Sequence, residues 1–188
     1  EIEAAGNHLL LELSGTTSNA HGLGAQIRMK AGSLERSYQV GDHFAPQGFS
    51  PPTLDIGLGD ASVIEELRIV WPSGYVQVVR ELAADARHVI EEPALIAVSP
   101  KNRHVPADGT SVVTITVRPV DEDVQALPSA TVTIDAPFQP VTWVSGETQN
   151  PDGSVSRTLS APNAKGSAVI EVVIDGVPLK IRPRVYFD

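Results

Sequence analysis

Thr53-Leu-Asp-Ile-Gly-Leu-Gly-Asp60 is followed, after a short polar connection, by Glu66-Leu-Arg-Ile-Val-Trp-Pro-Ser-Gly-Tyr-Val-Gln-Val-Val-Arg80. Both segments alternate apolar side chains with other residues at a period of two, which is typical of half-buried β-strands. Two glycines interrupt the first segment, and a Pro-Ser-Gly turn divides the second. The pair predicts a strand, a glycine corner and a β-hairpin, and it contains no pattern that indicates a reaction.

The predicted hairpin has an apolar face. Leu67, Ile69 and Trp71 lie on one side of its first strand and are expected to be buried. Pro72 fixes its own φ at the second position of a turn, and Gly74 suits the left-handed conformation that closes that turn. These residues are therefore predicted to shape the fold.

Three further expectations concern the same region. Gly57 and Gly59 are predicted to take backbone angles that other residues disfavour. Val76 and Val78 are predicted to continue the inward face on the return strand. Residues 81–87 are predicted to form one helical turn before a last strand.

Composition favours a globular chain made of strands. With 188 residues, the chain is long enough for one large or two small domains. A hydrophobic content of 41% argues against disorder. The 15 glycines and 15 prolines stand singly between apolar alternations, which predicts many turns.

Charge and cysteine content exclude several classes of protein. The formal charge is −9 without a basic stripe, which argues against nucleic-acid binding. With no cysteine, there is no disulfide framework and no thiolate metal site. No apolar run approaches the roughly 18–20 residues of a membrane span. Because the sequence begins with Glu1, we expect a processed or excised piece of a longer protein.

An ordered set of short motifs runs through the first half: Asn7-His8-Leu9, Leu13-Ser14-Gly15, Ser18-Asn19, Gly22-Leu23-Gly24-Ala25, Gly57-Leu58-Gly59, Trp71-Pro72-Ser73-Gly74 and Ile90-Glu91. With these motifs, residues 6–92 resemble the ASPIC/UnbV domain, which is named for the cartilage acidic protein. That domain typically follows FG-GAP propeller repeats in large secreted proteins. The resemblance implies an extracellular, non-catalytic module.

The second half predicts a different all-β domain. Strands are expected at 95–99, 111–117, 130–135, 141–144, 154–159, 166–174 and 177–186, with turns every 8–12 residues, which suggests a Greek-key sandwich. Asp108-Gly109 marks a turn, and Asp175-Gly176 is a strong hairpin signal. The opening at 105–111, Asp152-Gly153 and 166–168 resemble the invasin/intimin type of bacterial immunoglobulin-like domain. Such domains act as surface spacers and adhesin modules.

The predicted architecture is therefore all-β, with two consecutive sandwich-like or barrel-like domains at 1–93 and 94–188. The acidity belongs mainly to the first of these. Residues 1–93 hold thirteen acidic and six basic side chains, whereas residues 94–188 hold ten and eight.

Candidate cation ligands are few. Asp121, Glu122 and Asp123 form a cluster of hard oxygen ligands that calcium would accept, but the run lacks the periodic pattern of a dedicated calcium loop, so a solvated turn is favoured. Asp55 and Asp60 flank the Gly-Leu-Gly corner, where they would bind a cation together or cap a turn. The five histidines show no ligand spacing (His8, His21, His43, His88 and His104).

The sequence shows no pattern of a nucleophile or a phosphate loop, and spacing alone leaves a glycosidase-like carboxylate pair open. Ser50 and Ser73 lack a Gly-x-Ser-x-Gly elbow, and Gly22-Leu23-Gly24 lacks the following helix that would cradle a phosphate. Trp71 and Tyr75 would suit either a sugar-stacking platform or a core. We expect no enzyme and no cofactor.

The leading hypothesis is a non-enzymatic extracellular interaction or structural module of a bacterial secreted or surface protein. Its expected partners are a protein or a glycan at the cell surface, with an upstream FG-GAP propeller or a larger assembly. An accessory carbohydrate-binding unit of a secreted hydrolase is one alternative. A subunit of a surface polymer, joined through exposed strand edges, is another.

Overall fold

The structure is a computed structural model that describes residues 6–41 and 53–188. The chain divides into two compact units, Glu1–Pro93 (unit 1) and Ala94–Asp188 (unit 2). Across the two described ranges, every regular element is a β-strand, so the predicted all-β class is confirmed. Within those ranges, no helix is long and apolar enough to cross a membrane.

Unit 1 forms two sheets. The three-stranded sheet has the order β4-β1-β7, and the four-stranded sheet has the order β3-β2-β5-β6. Strand β1 pairs antiparallel with β4 and parallel with β7, whereas the four-stranded sheet is antiparallel throughout. The strands are β1 (Asn7–Ser14), β2 (Gln26–Ala31), β3 (Leu34–Gln39), β4 (Leu54–Gly59), β5 (Val63–Val70), β6 (Val76–Ala83) and β7 (Ala86–Glu91).

The core of unit 1 consists of alternate residues from both sheets. Burying each of these large side chains contributes roughly 1.5–3 kcal/mol to the stability of the fold. Residues with at most 1% of their surface exposed include Leu9, Leu11, Ile27, Met29, Ile56, Leu67, Ile69 and Trp71.

The helical turn predicted at 81–87 is wrong. Strand β6 continues through Ala83, and β7 begins at Ala86 because it pairs with β1. The reversal between them uses a left-handed Asp85, with φ of 53°, whose N–H donates to His8 O at 2.7 Å. Pairing with β1 therefore overrides the local preference of this segment.

The return strand of the hairpin buries Val78, as predicted, but its pairing is shifted by one residue from the predicted alternation. Trp71 N–H donates to Tyr75 O at 2.8 Å, and this bond closes the hairpin. Pairing then places Gln77 directly opposite Ile69, while Val78 lies opposite Arg68. Directly paired residues share a sheet face, so Gln77 lies on the face of Ile69, while Val78 lies on the other face and is nevertheless buried, with 6% of its surface exposed.

The two glycines of β4 differ from each other. Gly59 ends the strand with a φ of 60°, in the left-handed region. Gly57 has no such φ, and a Cβ placed on it would meet nothing within 4 Å. The special backbone predicted for Gly57 is therefore wrong, because that position is an ordinary extended one.

Unit 2 is an immunoglobulin-like Greek-key sandwich, as its strand pattern predicts. Its sheets have the orders β12-β14-β10-β8, β11-β16-β17 and β15-β18-β9, and β13 also pairs with β14. Its strands are β8 (Ile96–Ser99), β9 (His104–Val105), β10 (Val112–Val117), β11 (Val132–Asp135), β12 (Thr142–Trp143), β13 (Thr148–Gln149), β14 (Val155–Ser160), β15 (Gly166–Val169), β16 (Glu171–Ile174), β17 (Val177–Pro178) and β18 (Arg184–Phe187).

The long strands predicted at 166–174 and 177–186 are each divided in two. Strand β15 pairs with β18, whereas β16 pairs with β11 and β17. Between β15 and β16, the fully buried Ile170 donates its N–H to Pro183 O at 2.8 Å. The chain passes from one sheet to another here, which is how sandwiches turn corners.

Candidate functional site

The connection between β1 and β2 is folded onto itself by Asn19. The Asn19 amide donates to Leu23 O at 2.9 Å and accepts from Leu23 N–H at 2.8 Å. Gly22 has a φ of +59°, and a Cβ there would lie 2.9 Å from Leu13 Cβ and 3.2 Å from a ring carbon of Trp71. Because a side chain would strain both backbone and packing, the loop requires glycine at this position.

A buried carboxylate organises this loop. Glu92 is 1% exposed, and its Oε2 accepts the backbone N–H groups of Thr16, Thr17 and Ser18 at 3.1, 3.0 and 2.6 Å. Its Oε1 accepts the hydroxyls of Ser18 at 2.8 Å and Ser73 at 2.6 Å. Each of these five donors is an uncharged group.

Backbone bonds continue the same network, which we call the Glu92 cluster (Ser14, Thr16, Thr17, Ser18, Ser73 and Glu92). Glu92 N–H donates to Ser14 O at 2.8 Å, and the Thr16 hydroxyl donates to Glu92 O at 2.9 Å. Ser73 N–H donates to the Ser18 hydroxyl at 3.0 Å. The cluster therefore joins the end of β1, the following loop, the β5–β6 turn and the segment after β7.

Trp71 is a core residue of unit 1. It is 1% exposed, and its Nε1–H donates to Gln77 Oε1 at 2.9 Å in the interior. Gly74 N–H donates to Trp71 O at 2.8 Å, and Gly74 has a φ of 91°, which is the turn that Pro72 and Gly74 predict. With its ring enclosed, Trp71 has no face for sugar stacking, and Tyr75 is only 9% exposed.

The Glu92 cluster contains a serine–carboxylate pair, but its geometry is that of a structural bond. Ser73 is 0% exposed, so a substrate has no access to its hydroxyl. The same hydroxyl accepts Tyr75 N–H at 3.3 Å while it donates to Glu92. A nucleophile needs a base and room for a reacting atom. Here the carboxylate is fully occupied by hydrogen bonds that hold the loop.

Asp55 lies on β4, and Asp60 follows Gly59, whose left-handed φ of 60° ends that strand. Binding of a cation by these two residues stays a prediction. Within 6–41 and 53–188, no group of three or more His, Cys, Asp or Glu side chains could hold a metal ion.

The acidic run at 121–123 forms a turn. Asp121 Oδ1 accepts the N–H groups of Asp123 at 3.0 Å and Gln125 at 2.9 Å, and Val124 N–H donates to Asp121 O at 3.0 Å. Glu122 lies inside this turn. The Asp121 carboxylate therefore caps its own backbone, which accounts for an acidic residue here without a metal.

Two Asp-Gly pairs shape turns of unit 2. Asp108 accepts Thr110 N–H at 2.9 Å and Ser111 N–H at 2.6 Å, and these bonds hold the pKa of its carboxyl well below the usual range. Gly109 has a φ of 74°. Asp175 and Gly176, with φ of 49° and 79°, form the two-residue turn between β16 and β17.

An ion pair lies on the exposed face of the three-stranded sheet. Arg87 contacts both carboxylate oxygens of Glu12, at 2.7 and 2.8 Å, and the Thr53 hydroxyl donates to the same carboxylate at 2.6 Å. The hydrogen bond from Arg87, followed by that from Thr53, lowers the pKa of Glu12. This pair is a surface tie between β1 and β7.

Three of the histidines, His8, His88 and His104, make contacts in separate places. His8 Nδ1 lies 3.2 Å from an Asp85 oxygen, and His88 Nε2 lies 2.9 Å from Ala83 O. In unit 2, the His104 ring stacks on Tyr186 with centroids 4.7 Å apart. His43 and the candidate nucleophile Ser50 lie outside the described residues.

Sequence reasoning missed Glu92 and Gln77. Both positions carry a signal that could have found them. Ile90 points inwards, so the period of two also points Glu92 inwards after the exposed Glu91. The hydrogen bond between Trp71 and Tyr75 closes the hairpin. Two residues further along each strand, Gln77 lies opposite Ile69 and therefore on the core face.

Two family models match the chain. Residues 15–96 match the model described as ASPIC and UnbV, and residues 92–187 match the one described as Invasin, domain 3. A segment that matches the ASPIC and UnbV model therefore precedes one that matches the invasin model. Because residues 92–187 make up half of the chain, the protein belongs to the invasin domain 3 family.

Solved structures with similarity to the chain include invasin, InvD and intimin. Invasin, described as a bacterial integrin-binding protein, is 20% identical, with 87% of this chain and 32% of that chain covered and a TM-score of 0.42. InvD of Yersinia pseudotuberculosis is 17% identical, with coverage of 49% and 26% and a TM-score of 0.42. The D00-D0 domain of intimin is 14% identical, with coverage of 88% and 79% and a TM-score of 0.41.

The chain thus spans a quarter to a third of the lengths of InvD and invasin. No curated protein matches it significantly.

Proposed function

We propose that the chain is a non-enzymatic interaction and spacer module on the extracellular side of a bacterial surface or secreted protein. Its expected partner is a protein or a glycan at the cell surface, and an FG-GAP propeller or another assembly is expected to precede it. Membership of the invasin domain 3 family supports this setting. Invasin itself is described as integrin-binding, which makes an adhesive role a reasonable model for this chain.

One observation carries the proposal. Polar side chains of the family-like motifs in unit 1 make hydrogen bonds inside the unit. Ser18 and Ser73 bind the Glu92 carboxylate, and Trp71 binds Gln77. Residues arranged in this way hold loops in place, which is what a protein needs in order to present surfaces. Neither a cofactor nor a nucleic-acid partner is part of the proposal, and calcium binding stays a hypothesis to be tested separately.

Multivalent display tests the proposal. The full chain, tetramerised to gain avidity, would be applied to arrays of extracellular proteins and glycans. We expect saturable binding to at least one class, with competition by the untagged monomer. A Trp71→Ala chain, in which unit 1 is destabilised, is the matched control. Absence of competed binding across both arrays would contradict an interaction role.

The alternative of an accessory carbohydrate-binding unit is favoured by one feature of unit 1. The four-stranded sheet has a cleft on its outer face, lined by amide and hydroxyl side chains beside two arginines. Side chains that both donate and accept hydrogen bonds suit a hydroxyl-rich ligand. Glycan arrays separate this reading from protein adhesion.

A further inference from the structure

Three edge strands of unit 2 have four residues each: β8, β11 and β15. In an antiparallel pair, alternate residues direct both their N–H and their C=O away from the partner strand. A row of such groups can bind another strand, and proteins therefore protect their sheet edges. The protection of each edge thus indicates where this chain can take up a further strand.

Side chains cap the edges of β11 and β15. The register of β11 turns the backbone groups of Ile134 away from β16. Ile134 N–H donates to Glu147 Oε1 at 3.4 Å, and Ile134 O accepts from the Arg157 guanidinium. On the outward edge of β15, Val169 N–H donates to Gln139 Oε1 at 2.9 Å. Both edges therefore have partners from neighbouring segments.

Other edge strands of the described residues are protected by length, proline or charge. Strands β9, β12, β13 and β17 have two residues each, and β17 contains Pro178, which has no N–H. In the described part of unit 1, the edge strands β3, β4, β6 and β7 each carry a charged side chain, for example Glu35, Asp55, Arg80 and Arg87. These are the devices by which natural proteins prevent strand pairing at an edge.

Strand β8 has none of these protections. Its four residues, 96–99, include no charged side chain and no proline. Arg118 N–H donates to Leu95 O at 2.9 Å, so the register with β10 turns the N–H and C=O of Ile96 and Val98 away from β10. No residue in 6–41 or 53–188 makes a hydrogen bond to these four backbone groups. The outward edge of β8 is therefore open to a further strand.

This edge is complementary to a second copy of itself. In an antiparallel pairing about a two-fold axis, Ile96 of each copy lies opposite Val98 of the other, which gives four N–H to O=C bonds. Ala97 then lies opposite Ala97 of the second copy, in the closely spaced type of pair, with Cα atoms about 4.5 Å apart, which suits a small side chain. Ile96 and Val98 are only partly buried against the core of unit 2, so the pairing also brings apolar side chains together.

Charge favours the same partner. The chain carries a formal charge of −9, so two copies repel wherever charged surfaces meet. At β8 the contacting side chains are uncharged, and this repulsion is smallest there. An uncharged edge also offers no charge that would select a foreign sequence, whereas the two-fold pairing matches each of its residues.

We propose that the outward edge of β8 pairs with β8 of a second copy of this chain, antiparallel and about a two-fold axis at Ala97. The sheets that contain β8 in the two copies then form one continuous sheet. Because the paired edges are only four residues long, the interface belongs to the small, transient class and is populated where many copies are held close together. This inference goes beyond the proposed function, since it holds whether or not the chain also binds a protein or a glycan.

Sedimentation velocity of the full chain, from about 1 μM to about 1 mM, measures the association. We expect a reversible equilibrium between monomer and dimer within that range. Hydrogen exchange followed by NMR at both ends of the range locates the contact. The N–H groups of Ile96 and Val98 should become protected as the dimer forms, whereas those of Ala97 and Ser99 should be protected in the monomer as well, because they face β10.

Charge variants test the two-fold register. Ala97→Lys and Ala97→Glu each place like charges opposite each other on the axis, and each should weaken the dimer at least about tenfold. An equimolar mixture of the two variants places opposite charges there and should restore the dimer. Val112 is 51% exposed on the same sheet face but lies outside the paired edge, so Val112→Lys is the matched control, with a change below about twofold. Circular dichroism checks that each variant is folded.

A proline variant tests the backbone contact. Because Val98 N–H points away from β10, Val98→Pro removes a donor of the dimer without removing a bond between β8 and β10, and it should also weaken association.

Several results would overturn the inference. These are a chain that stays monomeric up to about 1 mM, a dimer that is unchanged in Ala97→Lys and Ala97→Glu, or an equal loss in Val112→Lys. Protection that appears at another edge strand instead of at Ile96 and Val98 would assign the contact to that edge. A mixture of the two charge variants that stays monomeric would contradict the two-fold register.

Discussion

Removal of the Glu92 carboxylate should lower the stability of unit 1. In Glu92→Ala, three backbone N–H groups and two hydroxyls lose their acceptor in a site that is 1% exposed. Each buried donor left unsatisfied costs about 1–3 kcal/mol, although the two hydroxyls can rotate to other partners and the loop can admit water. We therefore expect a loss of about 3–5 kcal/mol, as for other broken buried networks.

The Glu92→Gln variant removes the charge of the carboxylate and keeps the shape of the side chain. Its amide oxygen can still accept the three backbone N–H groups, and its NH2 group can donate to Ser18 and Ser73, whose hydroxyls then act as acceptors. A loss of about 1–2 kcal/mol is expected, because charged acceptors make stronger bonds than neutral ones. The neighbouring Glu91 is exposed, so Glu91→Ala serves as the matched control, with a change within about 0.5 kcal/mol.

Calorimetry and urea unfolding of the full chain provide the assay. For a domain of this size, 1 kcal/mol shifts Tm by about 4–8 °C, so the transition of unit 1 should fall by at least about 12 °C in Glu92→Ala. The transition of unit 2 should not move. A loss below about 1 kcal/mol, or one equal to that of Glu91→Ala, would refute the role of the carboxylate.

Changes at three further positions probe the fold. Trp71→Ala should cost about 3–5 kcal/mol. Trp71→Phe should cost about 1–3 kcal/mol, since the smaller ring leaves a cavity and leaves Gln77 Oε1 without its donor. An unchanged Tm with lost glycan binding would restore the sugar-platform interpretation. Gly22→Ala should cost about 1–3 kcal/mol through its left-handed φ and the contact with Leu13, as measured by urea unfolding; full stability would show that the loop relaxes freely. The pKa of Asp108 is lowered by folding, so its stabilisation is present above about pH 4 and is lost as pH falls below that value. In Asp108→Asn, the stability of unit 2 should therefore fall less steeply as the pH is lowered. An unchanged pH dependence on the acid side would contradict this.

Period-two alternation was sufficient to predict the fold class. The faces of Leu67, Ile69 and Trp71, the Pro72–Gly74 turn and the Asp175–Gly176 hairpin all follow from local rules that the structure obeys. Local rules failed where pairing decides the outcome. The segment at 81–87 is a strand reversal because β7 joins β1 in parallel, across about 75 residues of sequence.

The Glu92 cluster could be predicted only in part. Its motifs were visible as separate fragments, but their convergence depends on three long-range connections that bring together Ser18, Ser73 and Glu92. A glutamate one position after a strand usually faces solvent, and only the period of two that continues from Ile90 indicates that Glu92 points inwards. The direct pairing of Arg28 with Arg68 likewise emerges only from the register between β2 and β5.

Turnover measurements test the central claim most directly, namely that the signature residues of unit 1 build structure and the chain works by presenting surfaces. The purified chain would be assayed against ester, glycoside, phosphoester and peptide substrates, with and without calcium and zinc. Our account predicts no turnover above the buffer rate under any of these conditions. Reproducible turnover that disappears in a folded Ser73→Ala or Glu92→Gln variant would contradict it.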